Sequence, residues 1–440
     1  MRKFIGTYSS IFFALPLLFF TGNIFEPLSY PVLLIFMLFW SYRDQDSHMI
    51  LMLLLILILG DSREYQLFFV KNLRIIAILI VFFRTLVMMG AGRIRLNPYY
   101  LYILPFMVIA ILGAFRNPEF VTSISKMISY LMLLFVAIHY LPYQIRTRGE
   151  GLMRDIVIFI ALILLSGLGL IYVLPRVAIM GVRYRGLLGN PNGLGMYCTM
   201  VFPIVLITGS LYPKLRRWVL IAAGLVIFST LLCGSRTALG TVGIFVLLHF
   251  FYRGQSIRAA LLWIFVLPAI FIFFSVVRLE DLVAKIGVDE YLRVESLATG
   301  TGRFLAWQVG WNHIQENFWI GKGFAYEEIL FHELADFFIY TEHQGGMHNS
   351  YLTFIMNNGI IGFILIALFI IGWMRKMRCR AFAVPFTISM LISASFESWL
   401  TSSLNAFSIH FLISLTLLTL YPDLLQLSAP TPVTAHEPAA

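Results

Sequence analysis

The chain has 440 residues, 60% of them hydrophobic and only 12% charged, with a formal net charge of +10 and a mean hydropathy of +0.86. Soluble domains carry roughly 25% charged residues, so no water-soluble core can absorb this much apolar surface. Lys and Arg are spread over short loops and form no basic domain, which excludes nucleic acid as the partner that explains the charge.

Apolar runs predict membrane helices near 9 to 22, 28 to 41, 47 to 60, 66 to 89, 99 to 115, 121 to 141 and 154 to 175. They continue near 194 to 211, 218 to 233, 237 to 251, 258 to 277, 350 to 372, 381 to 396 and 405 to 420. No small-x-small cleavage site precedes Asn23, so the first run is expected to remain as a helix. The run 47 to 60 is short, and 66 to 89 carries Lys71, Arg74 and Arg84. These two are either separate spans or one re-entrant pair, which gives a total of 12 to 14 membrane helices. The expected fold is an all-α polytopic membrane bundle, because backbone polar groups in hydrocarbon must be satisfied internally. Residues 1–175 are read as N-terminal membrane helices, 176–421 as the region bearing the chemistry, with a long loop over 278–349, and 422–440 as an unstructured tail rich in Pro, Ala and Thr.

Basic residues gather on the side of the N-terminus, at Arg93 and Arg95, Arg146 and Arg148, Lys214, Arg216 and Arg217, and in the run Arg375 to Arg380. The positive-inside rule then puts both termini in the cytoplasm. The loop 176–193, the turn Gly234-Ser235-Arg236, the segment 278–349 and the turn at Glu397 share the outer face on that topology. Chemistry distributed over the sequence would meet there.

Within 278–349 acids outnumber bases, so any phosphate must be held by individually placed arginines. Arg303 follows Thr299-Gly300-Thr301-Gly302 and precedes Phe304, Trp307, Trp311 and Ile314 at helical spacing. It is expected in the first turn of a helix lying on the membrane surface, where backbone N–H groups favour an anion. Arg236 sits in a tight turn between apolar helices, from which a guanidinium can clamp a phosphate through paired hydrogen bonds. The stretch Arg183-Tyr184-Arg185 through Asn190-Pro191-Asn192-Gly193 is dense in turn formers, with Asn190, Asn192 and the glycines able to approach a ligand closely. His348, in Gly345-Gly346-Met347-His348-Asn349, can accept a proton at neutral pH. Glu397 could orient His348 or bind a sugar hydroxyl. His313, His332 and His343 lack ligand spacing for a metal, and Cys198, Cys233 and Cys379 are too scattered for a disulfide framework or a zinc site. No metal and no cofactor is expected.

The run Arg-x-Arg-Gly-x-x-Gly-Asn-Pro-Asn-x-Leu-Gly, then Ser235-Arg236, Gly300-Thr301-Gly302-Arg303 with Trp307, and His348-Asn349-Ser350 with Asn358-Gly359 together resemble the O-antigen ligase and polymerase (Wzy-type) superfamily. The likeness spans roughly residues 180 to 370. It implies a GT-C-like membrane fold and metal-independent glycosyl transfer at the periplasmic face, from an undecaprenyl-pyrophosphate-linked glycan donor to a sugar hydroxyl. The acceptor would be lipid A core for a ligase or another lipid-linked repeat for a polymerase. Carried onto this chain, the resemblance makes His348, Arg303 and Arg236 the catalytic residues. Arg183, Arg185, Asn190, Asn192, Asn349 and Glu397 become the substrate-binding set, and membrane lipids the surroundings. The alternative is a transporter or flippase of the same lipid-linked sugar. Against it stands the placement of charges at helix ends, since transporters bury them at the midplane within repeats.

Overall fold

The computed structural model describes residues 6–254, 303–339 and 346–428. The predicted helix 258 to 277, the loop up to Gly302 with its Thr299-Gly300-Thr301-Gly302 cap, His343 and the tail beyond 428 lie outside the described residues. Within them the chain is an all-α polytopic membrane bundle.

The apolar runs of the first quarter become α1 (Ser9–Ile24), α2 (Ser29–Tyr42), α3 (Asp46–Leu59), α4 (Phe68–Gly90) and α5 (Leu104–Ala114). The next two predicted spans are two helical segments that meet without a loop at the non-helical backbone of Gly149, together labelled α6 (Phe120–Val173). A helical turn α7 (Pro175–Ala178) and a two-residue hairpin, β1 (Ile179–Met180) against β2 (Arg183–Tyr184), lead into α8 (Pro191–Leu211), α9 (Arg216–Cys233) and α10 (Arg236–Gly254). Three short helices follow in the segment read as a loop, α11 (Arg303–Glu316), α12 (Tyr326–Glu333) and α13 (Ala335–Ile339). The chain closes with α14 (Ser350–Met374), α15 (Arg380–Phe396) and α16 (Ala406–Ser428).

Among the described residues six helices are long and apolar enough to cross a membrane, the broken α6 among them, and α1, α3, Pro98–Ala114 and α15 are apolar but shorter. Every residue of α3 from Asp46 to Ile58 is buried, as a helix apolar on all sides must be. Arg84 of α4 reaches Asp46 at one end of α3, and Gly60 lies against Arg74 at the other. The two therefore lie side by side and antiparallel, α4 among the six long helices and α3 among the shorter ones. At the C-terminus α16 continues through Pro422, where the sequence predicts a tail. An Arg146–Asp423 ion pair at 3.0 Å and the buried Leu424 hold the added turns.

Polar contacts sort to two ends. At one, Arg84 and Arg93 share Asp44, Arg84 and Tyr140 bind Asp46, and Tyr8 donates to Asp155. At the other, Gly189 N donates to Asp61 at 3.0 Å and Arg185 to Glu64 at 2.6 Å, Lys126 pairs with Glu328, and Arg303 and His348 meet Glu397.

At this second end α14 is interrupted. Gly359 has φ 66° and ψ 176° inside it, a combination open essentially to glycine alone. The break exposes backbone that the chain 318–323 satisfies: Ile360 N donates to Phe318 O at 2.8 Å and Gly323 N to Asn357 O at 2.6 Å. Asn117 anchors the same segment through the carbonyls of Lys322 and Phe324. Non-helical backbone at membrane depth survives where protein surrounds it, and here it fixes the first turns of α14 to the loop in front of them.

Candidate active site

Asn349 caps α14, its Oδ1 accepting from Tyr351 N and Leu352 N at 3.0 and 3.1 Å, the favoured use of Asn at a helix start. The chain just before it is held on both sides. Met347 N donates to Glu327 Oε1 at 2.5 Å, Trp307 Nε1 donates to Met347 O at 2.8 Å, and Asn349 N donates to Ser398 Oγ at 3.0 Å. His348 between them takes a left-handed conformation, φ 46°, which His adopts more readily than most residues but still at a cost.

Glu397 ends α15 in extended conformation and is 3% exposed. Its Oε2 lies 3.4 Å from His348 Nδ1, and its Oε1 accepts from Arg303 Nη2 at 3.0 Å. One buried carboxylate thus joins the imidazole to a guanidinium. With the proton on Nδ1 facing Glu397, the acceptor lone pair of the ring is on Nε2, the tautomer a general base needs. The turn carrying Glu397 is fastened to α14, since Ser350 Oγ donates to Glu397 O at 2.6 Å and Thr353 Oγ1 lies 3.1 Å from Ser398 Oγ.

Arg303 and Arg236 line one cavity of about 370 Å³ together with Thr237, Ile244, Trp307, Ile392 and Phe396. Arg236 opens α10, where Leu239 N donates to Ser235 O at 2.9 Å, so the positive end of that helix adds to the guanidinium. From Arg236 to Ile244 the cavity follows α10 for about 12 Å at 1.5 Å per residue, with cations at its mouth and apolar side chains below. The aromatic stripe of α11 divides its work. Phe304 and Trp311 are exposed as a surface helix requires, whereas Trp307 turns in to the cavity and Ile314 packs with Tyr326, Leu330 and Met356 in a core of its own.

In the 183–193 loop Arg183 Nε donates to Cys233 O at 2.8 Å and Nη2 to Asn192 Oδ1 at 2.9 Å, so it braces the Gly234-Ser235-Arg236 turn from behind. A methyl group on Gly195 would come within 2.7 Å of Ser235 Cβ; the bare backbone is what lets α8 close on that turn. Arg185 is placed otherwise, with contacts to Val177 O, Gly189 O, Arg176 O and Glu64. Asn190 caps α8 through Gly193 N at 2.8 Å. These two shape the loop beside Asp61, away from the Glu397 cluster. Burial raises the Asp61 carboxyl, against the pull of Gly189 N and the Arg74 and Arg63 charges.

Sequence reasoning offered Glu397 as a group that could orient His348, but its contact with Arg303 and the part of Glu327 had no signature there. Glu397 lies 49 residues from His348 and 94 from Arg303, and Glu327 is one acid among many in its segment. Glu327 is buried, and burial raises its carboxyl above the ordinary range although the Met347 N–H and the nearby His348 pull it down.

The family model described as O-antigen ligase (Wzy_C) matches residues 218–367, the stretch that holds Arg236, Arg303 and His348. No curated protein matches the chain. Glu397 and the 183–193 loop lie outside the matched residues and reach the site through the fold. Over residues 218–367 the chain is thus similar to the O-antigen ligase family, and the match supports a membrane enzyme that joins glycans.

Proposed function

We propose that the chain is a metal-independent membrane glycosyltransferase that moves an undecaprenyl-pyrophosphate-linked glycan onto a sugar hydroxyl at the periplasmic face of the cytoplasmic membrane. The observation that carries this reading is the carboxylate of Glu397 shared between His348 and Arg303. His348 Nε2 takes the proton of the acceptor hydroxyl as its oxygen forms a bond to the anomeric carbon. The bond from that carbon to the pyrophosphate oxygen breaks, and the electron pair leaves with the pyrophosphate. Arg303 and Arg236 meet the charge that develops there, supplying the positive charge for which other glycosyltransferases use a cation. Glu397 holds the Nδ1 proton and offsets the imidazolium, as the acid of a hydrolase triad does.

The lining of the cavity supports a lipid-linked donor, because its two guanidiniums suit a phosphate while Ile244, Ile392 and Phe396 suit an isoprenoid chain. Arg183 contributes by holding the Arg236 turn, and Asn192 by holding Arg183. The distribution of Lys and Arg supports the periplasmic side. The acceptor is a glycan, either lipid A core or a second lipid-linked repeat.

Purified protein in liposomes, given a lipid-linked glycan and each acceptor in turn, tests the reading. His348→Ala and Arg303→Ala are expected to cut transfer by 10²-fold or more, and the productive acceptor separates ligase from polymerase. Transfer at the wild-type rate in both variants would overturn it.

A further inference from the structure

A cavity of about 990 Å³ opens at the end of the bundle away from His348. Helix α14 starts at the site and delivers Lys376 to this cavity after 25 residues, about 37 Å of axis at 1.5 Å per residue. Five cations line it, Arg93, Arg95, Arg146, Lys376 and Arg378, together with the acid Asp423. Asp423 neutralises Arg146 at 3.0 Å, and Arg93 is matched by Asp44 at 2.8 Å. Among the described residues no carboxylate forms an ion pair with Arg95, Lys376 or Arg378. Lys376 Nζ instead sits 3.8 Å over the ring of Tyr99.

Basic loops at one face of a membrane protein are ordinary; their convergence on one concavity is not. Three cations around one recess with no carboxylate between them repel one another, and an anion among them relieves that cost. The other walls are mixed, with Tyr99, Trp373 and Leu420 aromatic or aliphatic and Asn97, Thr416 and Thr419 polar. Leu101 and Tyr102, next to Tyr99, are exposed on the flank of the bundle, so an amphipathic molecule can enter from the bilayer. The volume lies in the range of sites for whole ligands and far above the needs of a bare phosphate.

We propose that this cavity binds the phosphodiester headgroup of an anionic glycerophospholipid from the adjacent leaflet, held by Arg95, Lys376 and Arg378, at a site separate from that of glycan transfer. Basic pockets between membrane helices recognise lipid headgroups by this chemistry.

The full-length protein in nonionic detergent is titrated with dihexanoyl phosphatidylglycerol, dihexanoyl phosphatidylcholine and inorganic phosphate. Thermal midpoint and native mass spectrometry report binding. Phosphatidylglycerol is expected to raise the midpoint and remain bound, and its affinity to fall about fivefold for each charge removed in Arg95→Gln, Lys376→Gln and Arg378→Gln. Equal binding of phosphatidylcholine, or unchanged affinity in the combined variant, would overturn the proposal. Inorganic phosphate binding as tightly as the lipid would also reject it, in favour of a soluble anion. Should the neutral variants fail to fold, Arg95→Lys with Arg378→Lys keeps the charge. Its affinity must then weaken with added salt, and salt-independent binding counts against the site.

Discussion

Glu397 has two oxygens and two partners, so its charge and its shape can be tested apart. Glu397→Gln keeps the volume and one acceptor but removes the charge that orients His348 Nδ1–H and faces Arg303. Turnover in the liposome assay is expected to fall by about 10²-fold or more, by analogy of role with the buried acid of a catalytic triad. Near-normal turnover with intact folding would show that the acid only packs. Glu327 predicts a different effect. Its pKa is raised in the fold by burial, so the folded state prefers the protonated form. That preference adds stability fully below the unfolded value, near 4.3, and is lost as pH rises through the folded value. Glu327→Gln retains an acceptor for Met347 N and is expected to gain on wild type as pH rises from about 4 towards 7, read as the difference in thermal midpoints. Parallel curves would contradict it. Glycines and turn formers flank His348, Arg236 and Arg303 in sequence, and that local pattern is what singled them out as candidates. Glu397 and Glu327 take their roles from chain far away in sequence, and no local pattern encodes that.

At the scale of elements, apolar periodicity located the helices but not every interruption. The gap between the runs 121 to 141 and 154 to 175 marks where α6 breaks at Gly149, whereas the Gly359 break lies inside one continuous apolar run and was invisible to hydropathy. The segment 318–323 was read as part of a loop, yet its carbonyls and amides complete the broken helix. Gly359→Ala would place a methyl group 2.3 Å from Trp319 C and O in a backbone conformation denied to alanine. A loss of about 2 kcal/mol or more is expected, measured as the thermal midpoint in detergent, with a loss of transfer as the start of α14 comes loose. Gly224→Ala, in the interior of α9 with nothing near its Cβ position, provides the contrast and should be neutral or stabilising by up to about 1 kcal/mol. If the two variants melt alike, the break does not depend on glycine.

For the whole molecule, segregation of polar groups to two ends makes sidedness a single measurable property. In a background with Cys198, Cys233 and Cys379 replaced by serine, Arg63→Cys sits at the Glu397 end and Arg95→Cys at the other. In intact spheroplasts an impermeant maleimide is expected to label position 63, and position 95 only after permeabilisation. The opposite pattern would put the proposed site in the cytoplasm. The sequence conveyed the bundle and the grouping of its loops because both follow from charge and hydrocarbon thickness. It could not convey which loops touch, because side-chain contacts between helices leave no trace in local composition.

The brevity of α3 has an effect on the bundle's surface. Fourteen residues cover about 21 Å, well short of the roughly 30 Å of hydrocarbon. Sheathed by its neighbours, this strut meets no lipid and is spared the mismatch a shorter exposed helix would suffer. At its two ends the chain is tied off by charge and backbone, Asp46 to Arg84 and Asp61 to the Gly189 amide. An extra turn in α3 would shift one of these ties and unseat the loop fastened to it.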